Sequence, residues 1–125
     1  MKDNLEDFSD TSKCPIRNVL DRFGDKWSVL IIILLGSGQT IRFNALNKAI
    51  GNISQKMLTV TLKTLEADGI VRRKVYAEVP PRVEYELTTL GKSLLPLIQN
   101  LSDWATANMT HILTNREIYK RAVVQ

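Results

Sequence analysis

Residues 71–88 read VRRKVYAEVPPRVEYELT and contain two runs that predict β-strands. In the second run apolar and acidic residues alternate strictly, which is the pattern of a strand with one buried face. Two adjacent prolines separate the runs and mark a turn. A hairpin of this size is not stable alone, so it must pack against the rest of the chain. We expect its apolar side to consist of Val75, Val83, Tyr85 and Leu87.

The residues before the hairpin predict a helix-turn-helix. The run RFNALNKAI, residues 42–50, has apolar residues at helical spacing and is followed by Gly51, which is typical of the residue after a helix. Ser54 is a strong N-cap for a second helix that ends near Gly69. The link between the two helices is as short as a helix-turn-helix requires. The predicted buried stripe of the second helix consists of Leu58, Leu62 and Leu65.

Further helices are predicted on both sides of this unit. Pro15 suits the first position of one helix, and Asp25 caps a second helix that is apolar nearly all round and is expected to be buried. After the hairpin, Thr88 caps a long helical region in which we expect Pro96 to introduce a local kink, and a last short helix is predicted over residues 115–124.

The order of these elements predicts a mainly α-helical protein with a small β-hairpin wing, a winged helix-turn-helix. A length of 125 residues fits one domain. We assign residues 13–125 to this domain, residues 1–12 to a flexible N-terminal arm, and residues 88–122, approximately, to helices that form a homodimer together with the N-terminal helix.

The positive charge is concentrated in one third of the chain. The formal net charge is +4, but residues 42–82 hold eight Lys and Arg against three Asp and Glu, so this segment alone carries +5. Such a concentration is typical of a surface that binds a polyanion. The alternative is a chance cluster on a solvated surface.

In a winged helix-turn-helix the second helix of the motif enters the major groove of DNA. On its outer face, Gln55 suits adenine and Lys56 suits guanine or phosphate, while Thr59 and Val60 suit a thymine methyl group. The residues expected to contact the DNA backbone are Arg42, Ser54, Lys63, Arg72, Arg73, Lys74 and Arg82. Because side chains alternate along a strand, the three consecutive cations at 72–74 cannot all face the same way.

The sequence resembles the HxlR-type winged-helix regulators of bacteria, which are relatives of the MarR group. The resemblance covers residues 14–105, approximately. It includes the stretches CPIRNVLDRFGDKWSVLIIILL and RFNALNKAIGNISQKMLTVTLKTLEADGIVRRKVYAEVPPRVEYELTTLGKSLLPLI, and Trp104. It implies a homodimeric transcription factor with a recognition helix that begins at residues 54–63, a wing tip at residues 78–82, and terminal helices in the dimer interface.

The apolar residues of the C-terminal region independently predict dimerisation. They are too many for one small domain to cover, and helix one of a second copy could bury them. Two-fold symmetry would then place two recognition helices about 34 Å apart, one turn of DNA. The alternative is packing within one chain. The predicted interface consists of Ile16, Val19, Leu94, Leu97, Leu101 and Trp104.

Cys14 is a candidate redox sensor. It lies at a predicted helix N-terminus next to Lys13 and one turn from Arg17, a setting that favours the thiolate. The resemblance implies the same role, because cysteine often occupies this position in the family. As the single cysteine of the chain, it could form only a bond between two protomers, a mixed disulfide or an adduct with an oxidant or electrophile. The alternative is an ordinary packed cysteine.

Other classes of function find little support. We see no phosphate-binding glycine loop, paired-acid motif or metal-ligand spacing, so we expect no enzyme activity, no cofactor and no metal. The longest apolar run, VLIIILL at residues 29–35, is too short to span a membrane, and the acidic N-terminus is unlike a secretory signal.

We therefore predict a cytoplasmic repressor that binds a pseudo-palindromic operator in double-stranded DNA. The alternatives are a regulator controlled by a small-molecule ligand with an inert Cys14, and a winged-helix module that binds proteins.

Overall fold

The computed structural model describes residues 9, 10 and 12–124. Most of the arm predicted over residues 1–12 lies outside the described residues. The elements follow the order α1 (Pro15–Phe23), α2 (Lys26–Leu35), β1 (Ile41–Arg42), α3 (Phe43–Ile50), α4 (Gln55–Ala67), β2 (Val71–Tyr76), β3 (Arg82–Leu87), α5 (Thr89–Lys92) and α6 (Leu95–Val124).

The chain divides after Leu95 into two compact units. The first unit holds the elements from α1 to α5 and the second holds α6. The assignment of residues 13–125 to one domain stays a prediction. Mainly helical structure with a small antiparallel sheet confirms the predicted winged helix-turn-helix architecture.

The predicted helix starts are confirmed by their capping hydrogen bonds. Asp25 accepts a hydrogen bond from the backbone N–H of Ser28 at 3.2 Å, and the Ser54 hydroxyl accepts one from Met57 at 3.0 Å. The Thr88 hydroxyl accepts one from Gly91 at 3.0 Å. Each cap satisfies a donor that the helix itself leaves unpaired, so short polar side chains fix where these helices begin.

The hairpin is part of a three-stranded antiparallel sheet in the order β1-β3-β2. Residues paired across β2 and β3 include Val71 with Leu87 and Val75 with Val83. Leu87 and Tyr85 are buried as predicted and Val83 is half-buried, but the prediction for Val75 is wrong, because its side chain is 59% exposed. Val75 pairs with Val83 near the turn of the hairpin, at the end opposite to the buried pair of Val71 and Leu87.

The core lies between α2, α3, α4 and the sheet. The leucine stripe predicted for α4 is confirmed as buried, and it meets one side of α2. The other side of α2 exposes Leu30 and Ile33, so the expectation that this helix is buried all round is wrong. The fully buried aliphatic side chains are Ile31, Ile32, Leu35, Leu46, Leu58, Leu62, Leu65 and Val71.

The C-terminal helices differ from the prediction. The helix that Thr88 caps ends at Lys92, and α6 then runs for 30 residues through the segment predicted as a separate last helix. Pro96 lies in the first turn of α6 and not inside a longer helix. Proline lacks the N–H that would bond the carbonyl of Lys92, so a helix continuing through both residues is disfavoured, whereas proline in a first turn costs nothing.

Gly91 fixes α5 against the loop that joins α4 to β2. A Cβ atom at this position would lie 2.2 Å from the carbonyl oxygen of Ile70, and the Thr88 hydroxyl donates to the same carbonyl at 3.2 Å. We expect Gly91→Ala to lower the free energy of unfolding by about 1–3 kcal/mol, as overpacking does. Urea denaturation measures this change, with Lys92→Ala on the exposed side of α5 as the control. A Gly91→Ala protein as stable as the control variant would contradict this packing.

Candidate nucleic-acid interface

Helix α4 is held rigidly at its start. Gly51 adopts φ +92°, a backbone conformation that side chains disfavour, and ends α3 there. The Asn47 side chain donates a hydrogen bond to the carbonyl of Ile53 at 3.2 Å, and Ile53 is itself buried. The turn between the two helices is thus fixed by backbone shape, a side-chain hydrogen bond and an apolar anchor, which sets the direction in which α4 leaves it.

An ion pair fixes the other end of α4. Asp68 follows the helix and receives two hydrogen bonds from the Arg22 guanidinium of α1, both at 3.0 Å. The hydrogen bonds to Asp68 raise the pKa of Arg22 above its ordinary value. Because the contact is bidentate, it fixes orientation as well as distance. Helix α1 is therefore attached directly to the C-terminal end of α4.

The outer face of α4 presents the predicted base-contacting residues. Gln55, Lys56, Val60 and Lys63 are exposed, while Thr59 is half-buried and donates its hydroxyl hydrogen to the carbonyl of Gln55 at 2.8 Å. That bond uses the hydroxyl hydrogen, so a contact of Thr59 with a thymine would depend on its methyl group. Among the residues that the structure describes, Lys56 and Lys63 take part in no ion pair, so both ammonium groups are free to bind a polyanion.

The three consecutive cations of β2 lie on two faces of the sheet, as strand alternation predicts. Arg73 pairs with Tyr85 on the face toward α4, and its Nε lies 3.8 Å from a Glu66 carboxylate oxygen of that helix. Between α4 and the sheet runs a groove of about 630 Å³. The residues that line it are Phe43, Thr59, Lys63, Glu66, Ala67, Arg73, Val83 and Tyr85.

The opposite face of the sheet, which we call the open face, carries the other wing cations. Arg72 Nε and Lys74 Nζ each lie 3.1 Å from the same Glu86 oxygen. The hydrogen bond from Lys74 holds the pKa of Glu86 below its ordinary value, and the nearby charges of Lys74 and Arg72 act in the same direction. Glu86 is therefore ionised at neutral pH and engages both cations.

Glu84 likewise pairs with two cations, Arg82 and Arg42. Its carboxylate lies 3.4 Å from Arg82 Nε and 3.9 Å from Arg42 Nε. Arg82 also contacts Glu78 at 3.4 Å and stacks on the Tyr76 ring, with 4.0 Å between its guanidinium carbon and the ring centroid. Arg82 is thus half-buried, and its guanidinium is already engaged by neighbouring side chains at the base of the wing tip.

The remaining predicted backbone contacts lie at helix starts. Arg42 is exposed at the N-cap of α3, and Ser54 is exposed at the N-cap of α4, where its hydroxyl already accepts a backbone hydrogen bond. All eleven residues predicted to contact DNA therefore lie in the first compact unit, on α4, at the start of α3 or on the wing. The acidic partners of the wing cations were not predicted from the sequence, although the alternation of Glu84 and Glu86 opposite a basic strand was a signal for them.

The candidate sensor lies at the N-cap of α1. Cys14 is a free cysteine with 1% of its surface exposed, and its backbone N–H donates to the carbonyl of Asp10 at 3.1 Å. Its side chain makes no capping hydrogen bond to the helix.

The predicted dimer residues are mostly uncovered in the single chain. On α1, Ile16 and Val19 are exposed together with Leu20. Of the C-terminal residues Leu94 is half-buried, whereas the exposed ones are Leu97, Leu101 and Trp104. These apolar side chains are available to a second copy of the chain.

Within the described residues, no group of three or more His, Cys, Asp and Glu side chains is placed to hold a metal ion. Among the same residues no helix has the length and apolar character needed to cross a lipid bilayer.

Comparison with known proteins places this geometry in a family. The HxlR-like helix-turn-helix family matches residues 22–113. An HTH-type transcriptional regulator of Halalkalibacterium halodurans is 43% identical over 110 residues, which is 88% of this chain and 95% of the relative. The redox regulator HypR in its reduced form is 38% identical with a TM-score of 0.75, covering 81% of this chain and 99% of HypR. The reduced form of the regulator YodB from B. subtilis is 39% identical with a TM-score of 0.64, covering 74% and 90%. The chain is therefore a helix-turn-helix transcriptional regulator and belongs to the HxlR-like family.

Proposed function

We propose that this protein is a repressor that binds a pseudo-palindromic operator as a homodimer and reads base edges with α4. The observation that carries the proposal is the outer face of α4, where Gln55, Lys56 and Val60 are exposed on a helix fixed at both ends. A rigid helix loses little conformational freedom on binding, and its first turns are the part that reaches bases in helix-turn-helix proteins.

Dimerisation supplies the symmetry of the operator. Leu101 is 62% exposed, and together with Leu97 and Trp104 it forms an apolar surface on α6. Contiguous exposed apolar surface of this kind is typical of protein–protein interfaces. Two copies related by a two-fold axis would present two α4 helices to successive major grooves of one DNA segment.

Selection of bound duplexes from a random DNA pool, with reduced protein, tests the proposal. We expect enrichment of an inverted repeat with half-sites one helical turn apart, about 10 base pairs. Salt-sensitive binding without any enriched sequence would contradict the proposal, because it would make the basic segment a surface for polyanions in general.

We further propose that modification of Cys14 controls DNA binding. Cys14 precedes α1, whose last turn holds Asp68 at the C-terminal end of α4 through Arg22. A bulky adduct or an intersubunit disulfide at Cys14 would displace α1 and with it the end of α4. The relative HypR, solved in reduced and oxidised forms, is a redox regulator, which supports the same role for this chain.

The expected result is that diamide lowers the operator affinity of the parent protein at least about tenfold and leaves Cys14→Ser unaffected. Two Cys14 thiols on two protomers would lose two hydrogens to diamide and form one S–S bond. Because the thiol is 1% exposed, we expect the reaction to be slow. Fluorescence anisotropy of a labelled operator gives the affinity, and non-reducing electrophoresis shows the linked dimer. Equal loss of affinity in both proteins, or none in either, would refute control through Cys14.

A further inference from the structure

The open face of the sheet is an ordered arrangement of opposite charges. The central strand β3 contributes Glu84 and Glu86, which lie on the same face because they are two residues apart. Register then places Arg72 opposite Glu86 in β2, and both Lys74 in β2 and Arg42 in β1 opposite Glu84. The acids are thus in the middle of the face and the cations along its sides.

The burial of the two kinds of side chain differs. The side chains of Glu84 and Glu86 are 14% and 19% exposed, whereas those of Arg42 and Arg72 are 61% and 58% exposed. Each carboxylate contacts two cations, at the distances of 3.1 to 3.9 Å given above. The carboxylates are therefore shielded from solvent while they pair with more exposed cations. The exposed parts of those cations remain available to phosphate.

The two carboxylates lower the net positive charge on the open face of the wing. Glu84 and Glu86 together pair with four cations, so the two carboxylates offset about half of the positive charge of those four side chains. Binding to DNA of arbitrary sequence depends almost entirely on the number of phosphates neutralised. The ion pairs should therefore weaken nonspecific binding most. Lys56 and Lys63 have no ion pair in the described part of the chain and keep their full charge on the helix proposed to enter the major groove.

We propose that Glu84 and Glu86 are specificity-determining positioning residues, which fix the directions of the wing cations and restrain binding to DNA of arbitrary sequence. The inference rests on the proposed function and deepens it, since it assigns the discrimination between operator and other DNA partly to the two acids of the sheet. Protein surfaces achieve specificity by weakening competing complexes as well as by strengthening the intended one.

The experiment compares parent, Glu84→Gln, Glu86→Gln and the double variant. Glutamine keeps the size of the side chain and removes its charge. Affinities for the selected operator and for a shuffled duplex are measured by fluorescence anisotropy between about 50 and 200 mM salt. Affinity that comes from phosphate contacts falls steeply over this range. Glu117→Gln on α6 is the matched control, because it removes one exposed carboxylate that pairs with Arg121 far along the chain from the wing.

We expect each glutamine substitution to raise affinity for the shuffled duplex roughly eightfold near 0.1 M salt. The slope of log affinity against log salt concentration should become steeper by about one released counterion. Operator affinity should rise less, so the ratio of operator to shuffled affinity should fall about fivefold or more per substitution. The variants Glu84→Asp and Glu86→Asp keep the negative charge, so their ratio of operator to shuffled affinity should equal that of the parent protein. Such a pattern is not expected of a residue that only stabilises the sheet, since loss of folded protein lowers both affinities together.

Unchanged salt dependence and ratio in the double variant, or an equal loss of both affinities, would overturn the inference while leaving the proposed function intact. A parent protein that does not distinguish operator from shuffled DNA would refute the proposed function, and the inference with it.

Discussion

Replacing Leu101 with glutamate is expected to separate the protomers and to weaken binding to the inverted repeat roughly 10²- to 10⁴-fold. Leu101 is 62% exposed on α6, and burying an unpaired carboxylate in an apolar interface is strongly unfavourable. A monomer would engage one half-site at a time and would lose the effective concentration that the second half-site provides. Sedimentation measures the mass of the species, and anisotropy measures the affinity.

The control for this variant is Thr106→Glu, which introduces the same charge at another exposed position of α6. Helical geometry turns residue 106 about 140° away from residue 101, so it should lie outside the same interface. Binding of both proteins to a single half-site should be nearly equal, because the contacts of α4 are untouched. A Leu101→Glu protein that remains dimeric and binds the repeat like the parent would contradict the proposed interface.

Removing Gln55 and Lys56 together is expected to lower operator affinity by about 2–4 kcal/mol, which is roughly 30- to 1000-fold. Both side chains are exposed in the first turn of α4, the turn that we propose meets base edges. Substitution by alanine preserves the helix, because alanine is the best helix former and the Ser54 cap is unchanged. Affinity for a shuffled duplex should fall much less, since only one positive charge is lost.

The matched control is the double substitution Lys92→Ala and Gln99→Ala, which removes the same two side-chain types from exposed positions outside the helix-turn-helix. Titration of operator and shuffled duplexes gives both affinities for each protein. If operator and shuffled affinities fall by the same factor in the Gln55 and Lys56 variant, these residues contribute charge and do not read sequence.

Local patterns in the sequence predicted most of the elements. Ser54, Asp25 and Thr88 are caps whose hydrogen bonds reach only three residues along the chain, so sequence order alone contains the information. The buried stripe of α4 and the positive φ of Gly51 are equally local. The order of these elements then predicted the winged helix-turn-helix, and the family resemblance implied the same architecture.

Apart from the helix boundaries after Thr88, the errors concern contacts between elements. Val75 and the outer side of α2 look buried by composition, but the extent of the neighbouring elements decides their exposure. The roles of Glu84 and Glu86 depend on the register of β3 with both of its neighbours, and Arg82 stacks on Tyr76 across the same hairpin. A cation counted as a free DNA contact from sequence thus proves to be paired once the strands are aligned.

If α4 reads bases, a substitution on its first turn should change the base sequence that the protein selects. The selection from random DNA would be repeated with Gln55→Arg, because arginine pairs with guanine where glutamine pairs with adenine. We expect the same inverted repeat with the same spacing and a change from adenine to guanine at one symmetric pair of positions. A motif identical to that of the parent would contradict the claim that Gln55 and the first turn of α4 face the bases.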